Sequence, residues 1–505
     1  MRDQKKSGAL LSYLNIVLSM ISNFLLIPIM IAALSDDEYS IYKVMQSFSG
    51  PLIMLNLGIS TIVARAVAMY SAAEDGSKKK KENTLALSLL IACAMAVLVM
   101  ILAFLMLGLL PKLYGNTYSP AMLEKAKWLF LIFAATTAVR IVNDTFKGCI
   151  LGNEHFLCFY AEGTAQYVLR CSFVIILLNN GADAVAVAAS DFVICAALLV
   201  FNIGYSTVRL GERFRLYKLD KQELKEIASF SAAILLQAVV NQVNNNMDVV
   251  ILGAIVIDKE IITMYSSALS IFTIYNSVMS VFVNIYFPKA ARMVIQDSSG
   301  DELTDFVIGP GRIQAVIAVG ILTAFGLFGK NFISVWIGDK YLDAYYVAII
   351  LMIPVTIPLV QNVCLSILDA QLKRLFRSVT LVGMAILNVI TSLILVQYLG
   401  FWGAALGTVI SLVVGHGILM NIYYQRKLGL NVMRMFREIF SGILPAGFLT
   451  GVCCLPLALL LDNNLKMFLI KCAAFILVYA AALWYIGLNK REKSMVMEMV
   501  NKRKA

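Results

Sequence analysis

The sequence predicts an all-α protein that crosses a membrane about fourteen times. Hydrophobic residues make up 60% of the 505 residues and charged residues only 14%, and the mean hydropathy is +0.81. Soluble domains contain about 25% charged residues, so the bilayer must be the solvent for most of this chain. Helices satisfy their own backbone hydrogen bonds in a bilayer, and the apolar runs reach the roughly 20 residues that a spanning helix needs.

Fourteen apolar segments follow one another with short polar connections. The first begins after Arg2, Lys5 and Lys6, as a signal peptide would, but its apolar stretch is long and we expect it to be retained as a helix. The predicted segments lie at about 10–34, 42–70, 84–110, 128–150, 156–178, 184–208, 228–257, 261–288, 306–329, 344–368, 379–396, 404–424, 439–461 and 467–488.

Basic residues fall mainly on one side of the predicted membrane. With the N-terminus inside, 28 of the 42 Lys and Arg residues lie in predicted cytoplasmic segments, seven in external loops and seven within spans. Because Lys and Arg in short loops are retained in the cytoplasm, we expect both termini there. Cytoplasmic loops such as Lys78–Lys81 account for the net charge of +11, so it predicts contact with anionic membrane lipids and no nucleic-acid partner.

The residue types that carry enzymatic chemistry are scattered or missing. The nine cysteines all fall inside or at the edge of predicted spans, and neither they nor the two histidines show a metal-ligand spacing. The sequence has no glycine-rich phosphate-binding loop and no long external loop that could hold acid and base groups. We therefore expect no enzymatic activity and no cofactor or metal, and transport driven by an H⁺ or Na⁺ gradient or by the gradient of the substrate.

The two halves of the chain resemble each other. Asn143 and Asn362 are 219 positions apart, as are the loop glycines Gly181 and Gly400. Six helices are an even number, so both repeats enter the membrane in the same sense, which predicts a symmetry axis along the membrane normal and a site between the halves. The predicted organisation is an N-terminal six-helix bundle at 1–208, a cytoplasmic linker at 209–226, a C-terminal six-helix bundle at 227–424, and two further helices with a basic cytoplasmic tail at 425–505.

Two stretches resemble a known family. The stretch NNNMDVVILGAIVIDKEIITMYSSALSIF, at 244–272, is similar to the seventh helix and following turn of the polysaccharide-synthesis, or O-antigen flippase, family. The stretch LLIPIMIAALSDDEYSIYKVMQSF, at 25–48, is similar to the end of the first helix and the start of the second. These motifs specify the multidrug, oligosaccharidyl-lipid and polysaccharide exporter superfamily better than any member of it. The chain departs from two-fold equivalence at Leu26, where the repeat places the counterpart of Asp248.

The resemblance implies a fold and a function. The fold is two six-helix bundles in a V around a central cavity, as in multidrug and toxin extrusion (MATE) transporters, followed by two C-terminal helices. The implied function is to flip an undecaprenyl-pyrophosphate-linked oligosaccharide, or a related precursor of O-antigen, capsule, exopolysaccharide or teichoic acid, from the inner to the outer leaflet of a bacterial cytoplasmic membrane by alternating access. The implied partners are this polyprenyl-linked glycan, membrane lipids, and a polysaccharide polymerase and glycosyltransferases. A multidrug cation antiporter and a membrane-embedded polysaccharide polymerase or ligase are the alternatives.

Polar stripes on three predicted helices suggest a hydrated path. Side chains three or four positions apart share one helical face. The stripes are Ser12, Asn15, Ser19 and Ser22 in the first segment, Gln237, Asn241, Asn244 and Asp248 in the seventh, and Ser266, Ser270, Thr273, Ser277, Ser280 and Asn284 in the eighth. They favour a cavity, although hydrogen bonding between helices is the alternative.

Charged residues within the fourth and fifth segments are a stronger signal, because a charge at the bilayer centre costs at least ~2.5 kcal/mol. The first charged stripe consists of Arg140, Asn143, Asp144 and Lys147, and the second of Glu162, Gln166 and Arg170. A lipid pyrophosphate needs fixed cations, and guanidinium groups match phosphate oxygens. The predicted substrate contacts are Arg140, Arg170, Lys147, Arg65, Asn15, Asn143, Gln166, Asn241 and Asn244, and the predicted ion-coupling residues are Asp248, Asp144 and Glu162.

Two alternatives to these roles stay open at the level of sequence. The charged stripes could be purely structural, with Asp144 paired to Arg140 or Lys147 and Glu162 paired to Arg170. Arg65 and Lys147 could also extend their charged groups to the membrane surface. Within the predicted spans, Arg and Lys residues outnumber acidic residues. This excess of positive charge favours an anionic lipid substrate over a cationic drug.

Overall fold

The structure is a computed structural model that describes most of the chain. It describes residues 2–56, 58–71, 77–217, 242, 246–280, 283–296, 298–371, 374–460, 464–490, 492–494 and 497–498. Two predicted site residues, Asn241 and Asn244, and residues 218–226 of the predicted linker lie outside these ranges.

Contacts divide the chain into two compact units, Met1–Ser266 and Ser267–Ala505. The helices of the first unit are α1 (Arg2–Ala33), α2 (Asp36–Phe48), α3 (Ile59–Ser71), α4 (Ser77–Leu107), α5 (Pro120–Gly152), α6 (Phe156–Asn179), α7 (Ala184–Gly204) and α8 (Asn246–Ile255). Helix α9 (Lys259–Ser280) contains the boundary between the units. The helices that follow it are α10 (Val283–Ile295), α11 (Gly300–Ile337), α12 (Ala344–Val360), α13 (Val363–Ala370), α14 (Arg374–Leu399), α15 (Phe401–Leu412), α16 (Met420–Lys427), α17 (Val432–Phe440), α18 (Ile443–Leu460) and α19 (Leu465–Ala482). The boundaries predicted at 208, 226 and 424 stay a prediction.

The helices match the fourteen predicted segments. Ten described helices are long and apolar enough to cross a membrane, and the bent pair of α12 and α13 makes an eleventh candidate. Three shorter apolar helices, Val17–Ala33, Ile59–Tyr70 and Asn246–Ile255, fall in the first, second and seventh predicted segments. The described residues contain helices and turns and no strand. The predicted all-α membrane fold with about fourteen spans is therefore confirmed.

Two spans are interrupted at proline and glycine residues. Pro51 follows Gly50 and lacks an N–H, and Gly58 adopts a positive φ of 66°, so α2 and α3 are separate helices joined by short helical turns. The tenth span contains Pro354 and Pro358 and bends by 46° between α12 and α13. The first break matters for the site because it places Asn56 beside α5, as described below.

Glycines mark the repeat in the backbone. Gly181 ends the turn after α6 with a φ of 74°, and Gly400 ends the turn after α14 with a φ of 57°. Side chains are disfavoured in this left-handed region, so a glycine is needed in both turns. The two turns precede α7 and α15, which gives the same helix–turn–helix arrangement in both halves.

Helix α5 is the centre of the first unit and packs against α2, α3, α4 and α7. Its Gly148 and Gly152 lie against Val63, Ala64 and Val67 of α3, where an added Cβ would clash. Small residues four apart commonly bring membrane helices close together. This close packing fixes α5 beside the broken second span.

Polar contacts dock the start of the predicted linker on the first unit. Glu212 is buried and accepts hydrogen bonds from Lys81 at 2.6 Å and from Asn153 at 2.8 Å. Tyr217 donates its hydroxyl to Glu82 at 2.6 Å. The chain is thereby held against the start of α4 as it leaves α7.

Cysteine accessibility tests the predicted orientation. A single cysteine at Asn116, in the turn before α5, is expected to react with an impermeant maleimide added outside intact cells. A cysteine at Ser77, at the start of α4, is expected to react only after the membrane is permeabilised. The opposite pattern would reverse the orientation predicted from the basic residues.

A buried arginine fastens the C-terminal segment to α11. Arg312 Nε donates to Glu492 Oε1 at 2.6 Å, and Nη2 donates to Glu492 Oε2 at 3.1 Å. Its other donors bind the carbonyl oxygens of Glu438, Ser441 and Gly487. Burial would raise the pKa of Glu492, but the hydrogen bonds from Arg312 and from the Asn489 N–H outweigh it and lower that pKa below its usual value.

This lowered pKa predicts a pH-dependent stability. A carboxyl with a lowered folded-state pKa stabilises the fold above its ordinary pKa and loses that contribution as the pH falls through its folded value. We expect Glu492→Gln to lower the melting temperature of the full-length protein in detergent at pH 7, and to lower it less at pH 3. An equal loss at both pH values would show that charge on Glu492 contributes nothing.

Candidate functional site

A cavity of about 410 Å³ lies within the first unit, between α1, the broken second span, α5, α6 and α7. Its polar and charged lining residues are Ser19, Asn23, Gln46, Ser49, Thr136, Thr137, Arg140, Asn143, Asp144, Lys147, Gln166, Tyr167, Arg170 and Asp191. All four residues of the first charged stripe therefore face this cavity, together with Gln166 and Arg170 of the second. A site between the halves of the chain stays a prediction.

Arg170 is paired with an aspartate that sequence reasoning missed. Its Nε lies 3.0 Å from Asp191 Oδ1 of α7, and its Nη1 donates to Asn23 Oδ1 of α1 at 3.3 Å. The predicted structural alternative, in which Arg170 pairs with Glu162, is wrong. Eight residues separate these two on one helix, which is roughly 12 Å along its axis.

Glu162 instead pairs with Lys147 of the neighbouring helix. The Lys147 Nζ lies 3.4 Å from Glu162 Oε1 and 5.3 Å from the centre of the Phe159 ring. The Glu162 side chain is only 1% exposed, and this residue does not line the cavity. Helices α5 and α6 are antiparallel and joined by a short turn, which places Lys147 and Glu162 at similar distances from that turn.

Asp144 is held by an amide and not by a lysine or arginine. The Asn56 side chain donates to Asp144 Oδ2 in a short hydrogen bond. In the described part of the chain, no basic nitrogen lies within ion-pair distance of Asp144, so the predicted alternative pairing with Arg140 or Lys147 is not formed. The break in the second span, which positions Asn56, thus satisfies a carboxylate inside the bundle.

Arg140 differs from the other two basic residues of the cavity. It is an exposed side chain in the middle of α5 and lines the cavity. Among the described residues, no carboxylate oxygen lies within ion-pair distance of its guanidinium group. Asp144 and Asp191 interact with Arg140 electrostatically at longer range. A guanidinium group that forms no ion pair can still bind an anion that enters the cavity.

The predicted polar residues divide between cavity and packing. Ser19 and Gln166 line the cavity. Asn15 donates to the Tyr160 carbonyl at 2.8 Å and joins α1 to α6. Asn143 also lines the cavity, but its buried amide accepts a hydrogen bond from Asn202 of α7 at 2.9 Å. Ser19 and Gln166 therefore fit the interpretation as a hydrated path, and Asn15 fits the interpretation as a hydrogen bond between helices. Asn143 fits both.

Two further predicted residues lie away from the cavity lining. Arg65 is exposed on α3. Asp248 is buried on α8, where its Oδ2 accepts a hydrogen bond from the Tyr265 hydroxyl at 2.7 Å. Neither observation tests the roles predicted for them. Asp191 could have been found from the sequence by the argument that found Arg170, since it is an acidic residue within a predicted span.

The fold is that of membrane flippases and transporters. Lipid II flippase MurJ, in an inward closed conformation, is similar with a TM-score of 0.71 and 13% identity, over 94% of this chain and 97% of that chain. An inward-facing multidrug resistance MATE family transporter of the MOP superfamily has a TM-score of 0.67 and 14% identity, over 83% of this chain and 96% of that one. A MOP superfamily transporter from Pyrococcus furiosus has a TM-score of 0.53 and 13% identity, over 86% and 96%.

The sequence itself identifies the family. Residues 6–294 match the family model described as polysaccharide biosynthesis protein. The chain belongs to this family and is a multi-pass membrane protein, as the resemblance predicted. No curated protein matches the sequence.

Proposed function

We propose that this protein moves an undecaprenyl-pyrophosphate-linked oligosaccharide, or a related polysaccharide precursor, from the inner to the outer leaflet of a bacterial cytoplasmic membrane by alternating access. Its family and its flippase-like fold support a role in polysaccharide biosynthesis. The observation that carries the proposal is Arg140, a cation with no carboxylate within ion-pair distance among the described residues, in a polar cavity among the spans.

In this proposal the polar residues that line the cavity bind different parts of the substrate. Arg140 binds the pyrophosphate through paired N–H donors, which match phosphate oxygens better than an ammonium group does. Lys147 and Arg170 add positive charge that is partly neutralised by their own carboxylate partners. Ser19 and Gln166 provide neutral hydrogen-bonding groups for sugar hydroxyls without fixing one sugar. In this proposal an H⁺ or Na⁺ gradient drives the cycle, with Asp248 as the ion-binding candidate outside the cavity.

A multidrug cation antiporter is disfavoured by the same geometry. A cationic drug would need free carboxylates in the cavity. Asp191 is already paired with Arg170, and the negative charge of Asp144 interacts with the nearby cations Lys147 and Arg140. The exposed charge of Arg140 would repel a cation at close range.

Reconstituted protein tests the proposal. The full-length chain in liposomes is expected to flip a farnesyl pyrophosphate analogue that carries a nitrobenzoxadiazole fluorophore, measured as the fraction that external dithionite bleaches. The same liposomes are not expected to exchange ethidium for protons. Ethidium exchange without flipping of the pyrophosphate lipid would reject the flippase in favour of the antiporter.

A deletion strain provides an independent test. Loss of a flippase is expected to cause lipid-linked oligosaccharide to accumulate on the inner leaflet, because synthesis continues while export stops. Normal levels and normal surface polysaccharide in that strain would contradict the proposal.

A further inference from the structure

The pair of Arg170 and Asp191 is open to the cavity. The two side chains are 21% and 20% exposed, and both line the cavity wall. Their closest ion-pair atoms, Arg170 Nε and Asp191 Oδ1, are 3.0 Å apart. An anion that binds Arg170 from the cavity therefore meets the negative charge of Asp191 beside the guanidinium group.

The other carboxylates near the cavity do not have this property. Glu162 is 1% exposed behind the cavity wall, and so it cannot follow Lys147 to a ligand. Asp144 is engaged by the Asn56 amide and not by a cation. Among these carboxylates, Asp191 is therefore the one that both lines the cavity and pairs with a guanidinium group.

The chemistry of the surrounding membrane makes such a competitor useful. Common anionic phospholipids present a singly charged phosphodiester, whereas a lipid-linked pyrophosphate is at least doubly charged. A bare arginine in a low-dielectric cavity would bind both, because charge-assisted hydrogen bonds to phosphate are strong there. A carboxylate at 3.0 Å weakens both interactions. A singly charged headgroup carries no more charge than this carboxylate, whereas the pyrophosphate carries more and is the stronger competitor for Arg170.

We propose that Asp191 is an internal competitor for Arg170 that keeps singly charged phospholipid headgroups out of the site and lets the bound pyrophosphate leave. This inference rests on the proposed function, and it assigns a specificity role to a residue that does not itself bind substrate. Arg170 alternates between Asp191 and the pyrophosphate, while Arg140 provides the standing positive charge.

Binding to full-length protein in detergent tests the proposal. The probe is geranylgeranyl pyrophosphate, and phosphatidylglycerol is the competitor. For Asp191→Asn, we expect about tenfold tighter probe binding, within the usual range of coupling between sites, and displacement of the probe by phosphatidylglycerol. In liposomes the same variant is expected to flip the fluorescent pyrophosphate lipid more slowly at saturation, because release is slower.

The matched control is Asp183→Asn, which removes the same charge from the start of the same helix. Asp183 caps α7 and pairs with Lys125 outside the cavity, and asparagine is an equally good capping residue. We expect its probe binding and competition to equal those of the wild type. Asp191→Glu, which retains the carboxylate, is expected to keep the wild-type preference for the pyrophosphate.

Each outcome separates the two levels of the proposal. If wild-type protein binds no geranylgeranyl pyrophosphate, the flippase proposal fails together with this inference. If the wild-type protein binds the probe but binds phosphatidylglycerol with the same affinity, Asp191 does not exclude phospholipid headgroups. The inference is then overturned whether or not the variants fold. Unchanged or weaker probe binding by folded Asp191→Asn would also overturn it.

Discussion

Replacing Arg140 with alanine is expected to reduce flipping of a pyrophosphate lipid by about 100-fold, because a charge-assisted hydrogen bond contributes about 1.5–3 kcal/mol. Arg140 lines the cavity and has no carboxylate within ion-pair distance among the described residues. Its removal therefore breaks no ion pair, and Asp144 and Asp191 keep their direct contacts with Asn56 and Arg170. We therefore expect the variant to insert and fold normally. The measurement is the initial rate at which the fluorescent farnesyl pyrophosphate in liposomes becomes accessible to external dithionite.

Two further variants define what Arg140 contributes. Arg140→Lys is expected to recover part of the activity, since it keeps the charge but loses the paired donors of the guanidinium group. Lys127→Ala removes a basic residue near the N-terminal end of the same helix, away from the cavity lining, and is expected to flip at the wild-type rate. Full activity in a stably inserted Arg140→Ala variant would move the substrate path away from this cavity.

The charged stripes were predictable, and their partners were not. A charge inside an apolar span stands out in the sequence because its cost must be offset by function or pairing, which is how Arg140, Lys147 and Arg170 were found. Pairing depends on how far each residue lies from the turn that joins two antiparallel helices. Arg170 and Asp191 lie at similar distances from the turn between α6 and α7, and this register is a property of the folded bundle.

The same distinction holds for the fold. Helix number and the repeat follow from apolar runs and from the glycines at 181 and 400, both of which adopt positive φ. The interruption between α2 and α3 could have been expected from Gly50, Pro51 and Gly58, but its effect could not. That effect is to bring Asn56 to Asp144, a contact between residues 88 positions apart.

The pair of Lys147 and Glu162 is expected to have the largest effect on stability. Glu162 is 1% exposed, and removal of Lys147 would leave its carboxylate charged, buried and without a partner among the described residues. Breaking a buried pair in this way costs about 3–5 kcal/mol, whereas replacing both partners with neutral groups of similar volume is often tolerated. We therefore expect Lys147→Met to lose most folded protein, and Lys147→Met combined with Glu162→Gln to recover it.

Stability and transport together decide what the pair does. Stability is measured as the melting temperature of detergent-solubilised protein by size-exclusion chromatography after heating, and transport as flipping of the fluorescent pyrophosphate lipid. If the pair is purely structural, the double variant is both folded and active. If Lys147 also binds the pyrophosphate from the cavity wall, the double variant is folded but flips slowly, because neutral methionine restores packing and not charge. A single Lys147→Met variant as stable as the wild type would show that Glu162 takes up a proton or finds another partner, and the ion pair would then contribute little to this bundle.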